Sequence, residues 1–173
     1  PTTSPEASSR PAASDPNYTP DCEEPEKLDE STHVSRQRTP SRLAANHSVM
    51  VRVLISLGRV DDARAYVEEC VRIGSELGTI ESVAAGLQAE AHLALADGDA
   101  QAVEKAAEEA SRRYAEVGNP IGLAAASLIL AKGRLLSGDT AVARELLDQA
   151  CEQLSETPHF VLQAEIDALR LKT

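Results

Sequence analysis

Apolar side chains along residues 41–173 recur at helical spacing, and the pattern repeats itself every 40 residues. Gly58, Gly98 and Gly138 mark the period, each separating an apolar segment from a fresh amphipathic one. The same offset links Ala44, Ala84, Ala124 and Ala164, and also Ala45, Ala85 and Ala125. It joins Val51 to Ala91 and Ala131, Ile55 to Leu95 and Leu135, Ala63 to Val103 and Ala143, and Cys70 to Ala110 and Ala150. Repeat units are therefore expected at 41–80, 81–120 and 121–160, with a half unit at 161–173. Each unit reads as two helices. The first helices are predicted at about 41–57, 81–97 and 121–137, and the second at about 61–77, 100–117 and 140–156.

Turn chemistry supports these boundaries. A glycine at the joint supplies the left-handed conformation that closes one helix, and Asp61, Asp99 and Asp139 or Thr140 are suited to cap the next. Gly78 and Gly118 fall just past the second helices. Asn119 followed by Pro120 pairs a cap residue with proline at the first helical position, and Thr157 and Pro158 hold the matching place in the third unit. One such hairpin cannot bury its apolar stripe alone, so stability is expected from contacts between neighbours.

Residues 1–40 break the pattern. They hold seven of the nine prolines, no glycine and only seven apolar residues, too few to offset the entropy of ordering. A disordered tail or linker is expected there, with an acidic cluster at Asp21, Glu23, Glu24, Glu26, Asp29 and Glu30. The chain begins at Pro rather than Met, which leaves open whether it is a piece of a longer protein.

Composition narrows the chemistry. Aromatic residues make up 2% of the chain and alanine occurs 28 times, so the core must be aliphatic and finely packed. A net charge of −11 repels phosphate backbones and argues against direct nucleic-acid binding by this segment. No run reaches the roughly 20 apolar residues that a membrane span needs. Cys22, Cys70 and Cys151 are far apart and odd in number, which fits neither a disulfide framework nor a zinc site, and a cytoplasmic setting is expected.

The repeated columns resemble the tetratricopeptide repeat in a longer variety of about 40 residues per unit. The resemblance covers residues 41–173. Its small positions correspond to Val51, Gly58, Ala63 and Cys70, to Ala91, Gly98 and Ala110, and to Ala131, Gly138, Ala143 and Ala150. Its large aromatic positions are filled instead by His47, Leu87 and Ser127, and by Val67, Ala107 and Leu147. The resemblance implies an all-α, right-handed superhelical arrangement of three helical hairpins plus a terminal helix, with the first helices lining a concave groove. The segments LLSGDTAVARELLDQACEQL and VLISLGRVDDARAYVEECVRIGSELG are also similar to the repeat arm of bacterial LuxR-type ATP-dependent transcription regulators.

No phosphate-binding GxxxxGK[ST] or GxGxxG sequence, no HExxH and no GxSxG is present, so neither enzyme chemistry nor a metal or cofactor is implied. Cys70 shares a column with two alanines, which its small size explains. The one patterned polar column is Arg52, His92 and Lys132, and the resemblance places it in the groove beside Ser48, Gln88, Leu128, Ile55, Leu95, Leu135 and Leu136. Cationic or protonatable groups beside aliphatic ones suit the acidic side chains or carboxylate of a bound segment; the plain alternative is ordinary solvated charge. The protein's own acidic segment at 21–30 is a candidate competitor for that groove. The terminal helix is expected to bury Val161, Leu162, Ile166, Leu169 and Leu171, and to turn Glu165, Asp167, Arg170 and Lys172 outward as a cap. Its open end would otherwise join another repeat or a dimer partner. The expected function is non-enzymatic binding of a protein or peptide segment, as scaffold or regulatory arm. The alternative is a ligand-sensing segment of a bacterial transcription regulator.

Overall fold

The computed structural model describes residues 48–173. The expected tail, its acidic cluster, Ala44, Ala45 and His47 lie outside the described residues. Seven helices follow one another: α1 over 48–56, α2 Val60–Leu77, α3 Ile80–Asp97, α4 Ala100–Glu116, α5 Pro120–Leu136, α6 Thr140–Gln153 and α7 Phe160–Arg170. No strand occurs among the described residues.

The turns repeat atom for atom. Gly58, Gly98 and Gly138 have φ of +73°, +73° and +81°, a region that L side chains rarely adopt. At each, the glycine N–H and the next N–H close the preceding helix: Gly98 donates to the Leu95 carbonyl at 3.2 Å and Asp99 to the Ala94 carbonyl at 3.0 Å. The equivalent bonds recur from Gly58 and Arg59 and from Gly138 and Asp139. Asp99 and Asp139 then accept from the backbone N–H of Ala102 and Val142, and Asn119 accepts from Gly122 at 2.9 Å ahead of Pro120.

Two expected caps are corrected. The position before α2 is Arg59, which makes no side-chain cap bond, while Asp61 lies inside the first turn. There its carboxylate meets the positive end of the helix dipole without capping it. Ahead of α7 the cap is His159 and not Thr157, the imidazole Nδ1 accepting from the Leu162 N–H at 3.2 Å. α6 also ends at Gln153, short of the expected 156.

The second helices bury one register. Ala63, Val67, Cys70 and Gly74 on α2, Val103, Ala107, Ala110 and Tyr114 on α4, and Ala143, Leu147 and Ala150 on α6 with Leu154 just past its end are all buried, each set displaced by 40 residues. This spacing of four, three and four puts the set on one helical stripe. The last position of each stripe meets the start of the following helix, and sizes compensate across it. Gly74 faces Ser82, Tyr114 faces Gly122, and Leu154 faces Leu162. A Cβ on Gly122 would stand 2.4 Å from the Tyr114 ring, so glycine is what lets the phenol lie flat on α5.

Each helix packs on its chain neighbours. In addition α3 touches α5 and α5 touches α7, whereas α2, α4 and α6 make no such contacts with one another. α3, α5 and α7 are therefore linked by contacts between alternate helices that α2, α4 and α6 do not make. No helix among the described residues is long and apolar enough to cross a membrane.

Candidate functional site

α1, α3, α5 and α7 wall a cavity of about 350 Å³. Ser48, Arg52, Gln88, His92 and Glu165 give it polar groups, and Val49, Ile121, Ala125, Val161 and Leu162 give it apolar walls. Tyr114 reaches in from α4, its hydroxyl donating to Gln88 Oε1 at 3.0 Å. Burial raises the pKa of that phenol, so it remains a donor.

Arg52 and Lys132 of the expected column converge on a carboxylate from the same chain. Glu165 of α7 pairs with Arg52 and stands 3.6 Å from Lys132 Nζ. Lys132 is partly buried, and this lowers its pKa; Glu165 opposes the shift and the neighbouring Arg52 adds to it. Two cations thus share one anion in a half-buried setting; Arg52 and Glu165 line the cavity, and Lys132 stands behind them.

His92 does not belong to a row of protonatable groups. It is 9% exposed, and burial, followed by the charges of Arg52 and Lys132, pushes its imidazole down to about 3. It is a neutral polar wall. The aliphatic members of the expected groove also divide. Leu128 is 2% exposed and belongs to the core between α5 and α6, so it does not line the groove. Ile55, Leu95 and Leu135 are half-buried and pack against the core clusters, and Leu136 is exposed. The cavity is lined by Ser48, Gln88, Arg52 and His92 of the expected set.

Glu165 was expected on the outer face of a cap. It faces inward instead, because α7 lies against α5 with Leu162 and Ile166 buried. A signal for it exists in the sequence: the column Ala45, Ala85, Ala125 continues at Glu165, so a carboxylate replaces the small residue at the fourth position. Asp167, Arg170 and Lys172 are exposed as expected, Arg170 pairing with Asp148 at 2.6 Å, whereas Val161 and Leu171, expected in the buried set, are exposed too.

The cysteines are consistent with packing. Cys70 is fully buried, and burial followed by the charge of Glu90 raises its thiol to about 11. Cys151 is half-buried, with Gln163 and Arg170 donating to its sulfur at 3.4 Å. No group of three or more His, Cys, Asp or Glu side chains suited to a metal ion occurs among the described residues. No protein-family model, curated protein or solved structure matches the chain.

Proposed function

We propose that this domain is a tetratricopeptide-like superhelical stack whose inner face receives a protein or peptide segment, without catalysing a reaction. The observation that carries the reading is the inner-face site itself, where Arg52 and Lys132 already hold one carboxylate beside an open, partly apolar cavity. Charge-assisted bonds from such a pair would anchor an acidic side chain or a terminal carboxylate, and Ile121, Val161 and Leu162 would receive its apolar neighbour. The 40-residue register of the buried stripes and the layering of odd and even helices support the superhelical arrangement.

The reading is tested by capture from lysate with three forms of the full chain. The first is unaltered, and the second carries Arg52→Gln, Lys132→Gln and Glu165→Gln together, which removes the site's charges without stranding one. The third carries Arg112→Gln on the outer helix α4. Partners retained by the first and third but at least about tenfold depleted on the second, a difference of about 1.4 kcal/mol, are expected. Equal recovery on all three would remove the inner face from consideration.

A further inference from the structure

His92 lines the cavity between α1, α3, α5 and α7 and is buried, yet neither of its ring nitrogens has a hydrogen-bond partner among the described residues. Buried polar side chains nearly always have one, so an exception calls for a physical reason. The neutral ring keeps one nitrogen as donor and the other as acceptor. Gln88 lies one turn earlier on α3, and the two side chains share a helix face that lines the same cavity. Its Oε1 accepts from the Tyr114 hydroxyl, which leaves its amide N–H groups to donate elsewhere.

Charge and shape narrow what fits. The most buried polar groups of the lining, Ser48, His92 and Tyr114, are uncharged, whereas Arg52 and Glu165 are more exposed and already paired. A cation beside His92 would meet Arg52 and Lys132, whose charges both bear on that ring. An anion would meet Glu165 and give up its water against neutral groups. A hydroxyl is the smallest neutral group that uses both free functions, its proton going to the imidazole acceptor and its oxygen accepting from the Gln88 amide. The rest of the lining calls for an apolar body. Ile121, Ala125 and Leu162 supply aliphatic walls, and the Tyr114 ring against Gly122 adds an aromatic one. A volume of about 350 Å³ suits one compact group.

We propose that this cavity is a binding site for a compact apolar group ending in a hydroxyl, with a phenol as the best fit, held by His92 and Gln88. The inference rests on the inner face receiving a ligand and names what enters beside the Arg52–Glu165 pair. Its source is the side chain of a tyrosine in a bound segment or a free phenolic molecule.

NMR titration of the full chain with para-cresol, toluene, para-toluate and N-acetyltyrosinamide tests this. In para-cresol the hydroxyl is present, in toluene it is missing, and in para-toluate an anion replaces it. para-Cresol is expected to bind about tenfold more tightly than either of the others. His92→Phe keeps a planar ring without the nitrogens, and is expected to abolish the preference for para-cresol over toluene while toluene still binds. A loss of packing alone would weaken both alike. Ala125→Leu fills the cavity from α5 and is expected to weaken both, which locates the binding. Circular dichroism melts verify folding; if His92→Phe does not fold, Gln88→Leu makes the same comparison. Binding of N-acetyltyrosinamide alongside para-cresol identifies a tyrosine of a segment, and binding of para-cresol without it identifies a free phenolic; either upholds the site. Equal binding of para-cresol and toluene, tighter binding of para-toluate, or a preference that survives His92→Phe overturns the proposal. If no probe binds while capture from lysate still depends on Arg52, Lys132 and Glu165, the hydroxyl site is rejected and the peptide-binding face stands.

Discussion

An imidazole taken out of water and flanked by two cations resists protonation, and His92 meets both conditions. The consequence for stability has a definite sign. An unfolded histidine titrates near 6.5 and the folded one near 3, so between those values the unfolded chain binds the extra proton. Stability from this residue is complete above about pH 6.5 and falls as pH drops toward 3, by about 1.4 kcal/mol per pH unit at most. His92→Gln keeps a neutral polar side chain and removes the titration. Urea unfolding at pH 7 and pH 4.5 is expected to show a smaller acid loss in the variant than in the parent. An equal loss would mean that His92 is protonated in the folded state. The period places this residue in line with Arg52 and Lys132, and sequence alone offers no means of ranking a charged row above a buried neutral member. Its ionisation depends on how tightly α1 and α5 enclose it.

At the scale of the element, caps and pairs decide which helix ends are firm. Asp99 and Asp139 each accept from a backbone N–H three residues on, whereas Asp61 does not cap α2. Asp99→Ala and Asp139→Ala are each expected to cost about 1 kcal/mol, and Asp61→Ala, which loses only a dipole contact, less than half of that. Thermal unfolding of the three variants checks the ranking; equal losses would remove the distinction. The two true caps were readable beforehand because each follows its glycine directly. The first unit misled because Arg59 and Val60 separate Gly58 from Asp61, and the helix starts where the glycine turn ends, ahead of the expected carboxylate. α7 misled for a related reason. Alternation of apolar and charged residues shows that a helix is amphipathic, but the orientation of a terminal helix depends on which neighbours remain to be covered.

Across the described residues, packing runs mainly between consecutive helices, and α7 packs on its neighbours less than the middle helices do. Opening is therefore expected to begin at an end. Hydrogen exchange followed by mass spectrometry is expected to give the greatest protection in α4 and α5 and the least in α7, where only Leu162 and Ile166 are buried. Uniform protection along the chain would indicate one cooperative block. Glu165 adds a contact of another kind, joining the last helix to the first across a sequence separation of 113 residues. The sequence by itself determined the helical class, the 40-residue period, the glycine turns and the buried stripes of α2, α4 and α6, because these arise from backbone sterics and from spacing within one helix. Tertiary structure alone decided that His92 is neutral, that Leu128 is core, and that Glu165 turns inward to Arg52 and Lys132. Those outcomes depend on distances between residues far apart in the chain, which only the accumulated angles of successive helices specify.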